Sequence, residues 1–175
     1  MTIRSLSFGL CAAIAGMSML STASTAQSIR NHDSNAPIDF SAAASELQDR
    51  ADRVVLSGGV TVTQAGLSLK ANRLTAAYTN AGGVDVNRLD ATGGVTITKD
   101  DLRATSNSAI YDLDSSLITL IGNVNLVQGS NRLTGGRLVI DLNSGRSTIN
   151  GGAATGTTNG GGRVTGTFSV PKRKD

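Results

Sequence analysis

A short motif recurs along this chain, and its first copy reads Gly58-Gly59-Val60-Thr61-Val62-Thr63. A second copy occupies residues 93–98, a third occupies 122–127, and a shortened fourth begins at Gly151. In the first three copies, a pair containing glycine precedes aliphatic residues that alternate with Thr or Asn. Alternation at every second position is the period of a β-strand, since successive side chains point to opposite faces. The motif therefore predicts a repetitive β protein.

The segments that follow each motif keep this two-residue period. Apolar residues recur at every second position, and Ser, Thr, Lys, Arg, Asn and Asp fill most positions between them. Each strand is therefore expected to have one dry face and one wet face. The residues predicted to face inward are Val60, Val62, Leu67, Leu69, Leu74, Val95, Ile97, Leu102, Tyr111, Leu113, Ile118, Leu120, Val124, Leu126, Leu138 and Ile140.

Turn chemistry agrees with a series of hairpins, because Gly, Asn, Asp and Ser tolerate the backbone angles of tight turns. Residues 40–53 contain Ala and Glu and are compatible with either a short helix or an extended first strand. Antiparallel hairpins bury a continuous apolar face in a sandwich, a barrel or an open β-roll, and the residues alone leave these three open. The expected turn segments are Gly58-Gly59, Gly82-Gly83, Gly93-Gly94, Asp114-Ser115-Ser116, Gly135-Gly136 and Asn143-Ser144-Gly145.

The composition argues against several kinds of site. The chain of 175 residues has one Cys and one His, too few for a zinc site built from these ligands. His32 lies in a polar segment and Asp100-Asp101 in a turn-like one, and neither has the pattern of a catalytic site. The net charge of +3 is dispersed and gives no basis for nucleic-acid binding. We therefore predict no catalytic residues, no metal site and no cofactor.

The first residues have the pattern of an export signal. Arg4 precedes an uncharged apolar stretch over residues 6–20, and Ser24-Thr25-Ala26 fits a signal-peptidase site. An uncleaved membrane anchor is the alternative, but a span needs about 20 apolar residues and this stretch is shorter. The expected organisation is a cleaved signal peptide at 1–26, a flexible arm at 27–36, a β domain at 37–150, and a Gly-rich segment with a basic tail at 151–175. The expected location is the periplasm.

Several stretches of the repeat resemble the LptA/OstA family, and the resemblance extends over residues 37–145. It implies an all-β fold, a twisted antiparallel β-jellyroll (OstA-like) that is open at both ends. The matching stretches are Val-Val-Leu-Ser-Gly-Gly-Val-Thr-Val-Thr-Gln at 54–64, Leu-Lys-Ala-Asn-Arg-Leu at 69–74, Tyr-Asp-Leu at 111–113, Leu-Ile-Gly-Asn-Val-Asn-Leu-Val-Gln at 120–128 and Leu-Thr-Gly-Gly-Arg-Leu at 133–138.

The same resemblance implies a function and a set of partners. Members of the family carry lipopolysaccharide across the periplasm, so the inward residues are expected to line an apolar trough for its acyl chains. An LptC-like inner-membrane protein is expected at the N-terminal edge and an LptD-like outer-membrane protein at the C-terminal edge. Copies of the chain are also expected to associate head to tail through their edge strands. Residues 151–162 and the basic run at 172–174 depart from the family pattern.

Two other functions fit parts of the sequence. A lipid-free periplasmic β-scaffold, or an LptC-like envelope assembly factor, has the same repeat, and an uncleaved anchor would favour the LptC-like function. A secreted β-solenoid, either an adhesin or a polysaccharide-acting enzyme, is the third hypothesis. Such enzymes use clustered acidic residues and aromatic platforms for sugars, and aromatic residues are only 3% of this chain. Their scarcity argues against the third hypothesis.

Overall fold

The computed structural model describes residues 32–80, 82–152 and 162–169. The predicted export signal and the basic tail lie outside these residues. The described chain forms ten β-strands and one short 3₁₀ helix, with no α-helix among them. Accordingly, no helix in these ranges is long and apolar enough to cross a membrane.

The strands follow one another with short connections. Residues 40–53 are largely extended, and only Asp49–Ala51 form the 3₁₀ helix, so the extended alternative is correct there. The strands are β1 (Asp39–Ser41), β2 (Ala44–Gln48), β3 (Arg53–Gln64), β4 (Leu67–Thr79), β5 (Asp85–Lys99), β6 (Leu102–Asp112), β7 (Leu117–Gln128), β8 (Asn131–Asp141), β9 (Arg146–Asn150) and β10 (Thr165–Thr167).

All the strand pairs are antiparallel and belong to a single unclosed sheet. Strands β3 to β8 pair in chain order as a meander. At the N-terminal edge, β1 and β2 pair with successive halves of β3. At the C-terminal edge, β9 and β10 pair in the same way with the two halves of β8. The two edges of the sheet are therefore built alike, each from two short strands.

The long strands are interrupted at a common level of the sheet. The register of β3 against β4 shifts between Ser57 and Val60, and that of β5 against β6 shifts between Thr92 and Val95. Corresponding shifts occur between β4 and β5, β6 and β7, and β7 and β8. These are β-bulges, which bend a strand and increase its twist. Because the bulges are aligned, they bend the whole sheet along one line and divide it into two arms.

The two arms are defined by their position relative to the bulges. The first arm contains residues 60–64, 67–71, 95–99, 102–106, 124–128 and 131–135, and the second arm contains 53–57, 73–79, 85–92, 108–112, 117–121 and 137–141.

Glycine pairs make the bulges sterically feasible. Gly93 and Gly94 have φ angles of 83° and 82°, in the left-handed region that favours glycine. Gly58-Gly59 has the same conformation, and at the third bulge Gly122 is followed by Asn123 at φ 50°. Asn is one of the few other residues that adopt this region. Our prediction of turns at 58–59 and 93–94 was therefore wrong in position, since both pairs lie inside strands, and so was that of a turn at 135–136, which lies inside β8.

The bend brings the apolar faces of the two arms together. Leu56, Leu74 and Leu120 belong to one cross-strand row of the second arm, and Val62 and Ile97 belong to a row of the first. Both rows lie in one buried cluster, which includes fifteen of the sixteen predicted inward residues. The exception, Leu113, is half-buried and packs against the cluster. Burial of one such side chain is worth about 1.5–3 kcal/mol, so this cluster is the main stabilising feature of the fold.

The close approach at the second bulge leads to a stability prediction. A Cβ atom on Gly93 would lie 2.8 Å from the Asn72 Cβ, whereas one on Gly94 has no heavy atom within 4 Å. We expect Gly94→Ala to lower the free energy of unfolding by about 1 kcal/mol through backbone strain alone. We expect a clearly larger loss for Gly93→Ala, because Asn72 must also move. Urea denaturation of both variants measures the difference, and equal losses would contradict this packing of the bulge.

Candidate functional site

The candidate site is the apolar interior between the two arms. Its rows continue into the N-terminal edge strands, where Phe40 pairs with Val62 and Leu47 pairs with Val54. Phe40 and Leu47 thus occupy inward positions, yet they are 58% and 62% exposed. No other described residue covers them beyond the edge strands. The interior is therefore open to solvent at this edge.

The C-terminal edge exposes the interior in the same way. Gly166 of β10 pairs with Leu133, which packs against the core. Val164 and Phe168 lie two residues to either side of Gly166, and they are 40% and 66% exposed. A two-residue separation places them on the same face as Gly166 if the extended period continues beyond β10. Both ends of the interior therefore carry exposed apolar side chains.

The tips of the two arms meet along a line that we term the seam. Gln64 ends β3 at the tip of the first arm, and Tyr111 lies near the tip of the second. The Tyr111 hydroxyl donates a hydrogen bond to Gln64 Oε1 at 2.8 Å, across the seam. His32 lies between the tips, with Nε2 at 3.3 Å from Gln64 Oε1 and 3.2 Å from the Tyr111 hydroxyl. Side-chain contacts, rather than paired backbone, join the arms here.

A polar cluster attaches the N-terminal segment, residues 32–38, to this seam. Gln64 Nε2 donates to the backbone carbonyls of Ser34 and Ala36, at 2.9 Å each. Lys99 Nζ donates to the Ala65 carbonyl at 2.9 Å and lies 3.3 Å from His32 Nδ1. A neutral imidazole with its proton on Nε2 satisfies these contacts, because Nδ1 then accepts from Lys99. The segment is thus fixed across the seam by buried hydrogen bonds.

Burial governs the titration of this cluster. His32, Gln64, Lys99 and Tyr111 are all buried. Desolvation is the largest cause that lowers the pKa of His32, and the charge of Lys99 lowers it further. The hydrogen bond to Gln64 and the charge of Asp33 oppose that shift. Burial also raises the pKa of the Tyr111 hydroxyl. The environment therefore favours a neutral imidazole and a neutral phenol.

The sequence does not predict this cluster. We expected His32 in a flexible arm, whereas the structure buries its side chain and gives it hydrogen-bond partners. The alternation of apolar and polar residues contains one indication of this cluster. Gln64 continues the inward period of Val60 and Val62, and Lys99 continues that of Val95 and Ile97. A polar residue on an inward period indicates a buried partner, although the partner's identity requires the fold.

A cavity lies beside the N-terminal segment along the seam. Its volume is about 710 Å³, and its exposed wall is mostly polar and includes two carboxylates. The lining residues are Ser34, Asn35, Ala36, Pro37, Ile38, Gln64, Val84, Asp85, Val86, Leu113, Asp114 and Ser116.

The acidic residues of the turns between β5 and β7 are exposed or bonded within their own turn. Asp100 and Asp101 are exposed at the turn between β5 and β6. Asp112 accepts a hydrogen bond from the Ser115 backbone N–H at 2.9 Å, which lowers the pKa of its carboxyl. Across the described ranges, no three His, Cys, Asp or Glu side chains are grouped so that they could hold a metal ion.

The lowered pKa of His32 predicts that acid weakens the fold. The unfolded chain takes up a proton near the usual pKa of 6.5, but the folded chain takes it up only at lower pH. The free energy of unfolding is therefore highest above that value, and it falls as the pH decreases from it towards the folded-state pKa. Urea denaturation at about pH 7.5 and pH 5.5 measures this decrease.

The matched variant for this measurement is His32→Gln. The sequence contains a single histidine, so the variant removes all imidazole titration. We expect a smaller loss of stability on acidification in His32→Gln than in the unmodified protein. The same loss in both proteins would show that His32 does not titrate differently in the folded state.

The sequence model of the family described as "LptA/(LptD N-terminal domain) LPS transport protein" matches residues 40–146. The chain is 26% identical over 157 residues to "Uncharacterized protein R00383" of Rhizobium meliloti (strain 1021), covering 82% of this chain and 84% of that protein.

Its fold is similar to that of LptH, the LptA-homologous periplasmic component of the lipopolysaccharide transport device of Pseudomonas aeruginosa. The TM-score is 0.69 at 19% sequence identity, over 79% of this chain and 99% of that one. This similarity confirms the predicted fold, a twisted antiparallel β-jellyroll open at both ends. Because the family match covers more than half of the chain, this protein belongs to the LptA and LptD N-terminal domain family of lipopolysaccharide transport proteins.

Proposed function

We propose that this protein is a periplasmic bridge that holds the acyl chains of lipopolysaccharide between its two arms. It conveys the glycolipid from the inner to the outer membrane, without an enzymatic step of its own. The observation that carries this proposal is the apolar interior, which runs across all the long strands and is exposed at both edges of the sheet. Family membership supports the same conclusion.

The physical chemistry of the interior suits acyl chains. Each methylene group transferred from water to an apolar environment contributes about 0.8 kcal/mol, so a multi-chain lipid needs a long apolar path. The sixteen inward residues are mostly Val, Leu and Ile, which contact hydrocarbon without presenting polar groups to it. We propose these residues as the lipid-binding set. Outward positions such as Thr61 and Thr96 are not part of it.

The edges of the sheet suit partners that add a strand. An edge strand presents unpaired N–H and C=O groups, which pair readily with another extended chain. We propose that β1 and β2 meet an LptC-like inner-membrane protein, and that β9 and β10 meet an LptD-like outer-membrane protein. Head-to-tail association of this chain would use the same two edges. Phe40 and Leu47 would then be covered, and the apolar path would continue into the partner.

One observation favours a second candidate, the lipid-free β-scaffold. Ile97, Ile118 and Leu120 are fully buried, so the side chains of the protein itself fill much of the interior. Acyl chains therefore have to displace these contacts, and the arms have to separate. A scaffold without lipid would need no such movement. The two candidates differ in whether lipid contacts the inward rows in cells.

Photocrosslinking in cells tests this difference. A photoreactive amino acid replaces Leu69, which is inward and 1% exposed, and separately replaces Thr61, which faces outward on the neighbouring strand. We expect lipopolysaccharide adducts from the Leu69 position and none from the Thr61 position, because only the former faces the proposed acyl-chain path. Adducts are detected by immunoblotting of the purified protein.

Two controls accompany this experiment. Circular dichroism of each purified variant establishes that the β-sheet is retained. The N-terminal residue of the exported protein distinguishes a cleaved signal peptide from an LptC-like anchor. Folded variants that give adducts at neither position would contradict the bridge function and favour the lipid-free scaffold.

A further inference from the structure

A bound glycolipid raises a topological requirement in this fold. Its acyl chains need the apolar interior, whereas its sugars and phosphates need water. The polar head cannot pass through a sheet whose strands are continuously paired, and β3 to β8 form such a sheet. The head must therefore leave the interior where strands are unpaired, at an edge of the sheet or at the seam.

The seam is a better place than the edges for the polar head to leave the interior. Under the proposed function, both edges are occupied by partner strands during transport, so a head emerging there would obstruct the partner. The seam lies between the arm tips, where the described contacts are side-chain hydrogen bonds. The contact between Tyr111 and Gln64 crosses it at 2.8 Å. These contacts can break without loss of any backbone pairing within the sheet.

We propose that the seam is the lateral loading site for the glycolipid, and that the N-terminal segment, residues 32–38, is a releasable strap across it. This inference rests on the proposed function. The strap lies over the seam through Gln64, which bonds the Ser34 and Ala36 carbonyls, and through His32, which lies between the two tips. Release of this cluster uncouples Gln64 from Tyr111, and the strap is then held only by the packing of Ile38 against the core and by its connection to β1.

The cavity beside the strap fits this role. It lies between strap residues such as Ile38 and the second-arm residues Val84, Val86 and Leu113. Its walls combine these apolar side chains with the carboxylates of Asp85 and Asp114. Most of the exposed wall is polar, so it offers hydrogen-bond partners to sugar hydroxyls, and the few apolar side chains can contact the start of the acyl chains. Release of the strap is needed because the side chains of the protein fill the interior. The arms must therefore separate before acyl chains can lie between them.

A reversible crosslink tests the strap directly. The only cysteine, Cys11, lies in the predicted export signal, so introduced thiols are distinctive. Asn35→Cys on the strap and Asp114→Cys on the second arm are exposed positions that line the same cavity. A short bismaleimide with a reducible disulfide joins them, and reduction releases the lock. Binding is measured with purified lipopolysaccharide labelled on its sugar, and with a single-chain fluorescent fatty acid.

The control crosslink joins two turns of the same arm. Asp101→Cys and Ser130→Cys lie in adjacent turns, where the Gly129 N–H donates to the Asp101 carbonyl at 3.4 Å. This link leaves the seam free. We expect the strap lock to abolish lipopolysaccharide binding until it is reduced, and the control link to leave binding unchanged. The fatty acid should bind in all states, because a small head can enter through an open edge.

Each other outcome has a definite meaning. Equal lipopolysaccharide binding with and without the strap lock would overturn the strap and leave the proposed function standing. Absence of lipopolysaccharide binding in the unlocked protein would overturn the proposed function, and the loading site with it. Loss of both probes on locking would show a distorted interior, and would overturn the assignment of the seam as the place where the head passes.

Whereas the crosslink prevents release of the strap, removal of a single oxygen atom from the cluster should make release easier. Tyr111→Phe keeps the buried ring but removes the hydroxyl that contacts Gln64 and His32. Tyr78→Phe is the matched control, because its hydroxyl contacts Asp49, which is not part of the cluster that holds the strap. We expect Tyr111→Phe to speed lipopolysaccharide association by about fivefold, the equivalent of one net hydrogen bond, with no change in the control. Equal rates in the two variants would contradict a strap held by this cluster.

Discussion

The fold depends on one constraint, that a single antiparallel sheet must bury its own apolar face. No helix and no second sheet covers that face in the described chain. The sheet solves this by bending along aligned β-bulges, so that its two arms cover each other. Glycine at positions such as Gly93 is what permits the bend, because the backbone is left-handed there and Asn72 lies close by. The buried cluster follows from this bend.

The bent sheet leaves three places where backbone pairing does not close the apolar interior. A bent sheet has two free edges, and the tips of its arms meet without backbone pairing. The edges expose inward residues such as Phe40 and Phe168, and the tips are joined by the cluster around Gln64. A protein that only needed stability would gain from closing these places. A carrier of lipid needs them, since chains must enter, partners must join and a polar head must remain in water.

Sequence periodicity predicted the sheet and its inward face well. Alternation identified the buried rows because one face of every long strand is apolar. The burial of Val60, Ile97 and Leu138 follows from their place at every second position of such a strand. Periodicity does not distinguish a turn from a bulge, so the glycine pairs at two bulges were read as turns. It also does not reveal contacts between residues far apart in sequence, such as His32 with Tyr111. The short strand β10 has too few residues to show a period.

Isoleucine methyl NMR during addition of lipopolysaccharide, spin-labelled on an acyl chain, tests the central claim most directly. Ile97, Ile118 and Ile140 are fully buried between the arms, whereas Ile110 and Ile121 lie on the opposite face of the same sheet. We expect the label to broaden the methyl signals of Ile97, Ile118 and Ile140 more strongly than those of Ile110 and Ile121, because the interior methyls are closer to it. Equal broadening of both groups, broadening that is strongest at Ile110 and Ile121, or no broadening of any of the five would show that the space between the arms does not hold lipid.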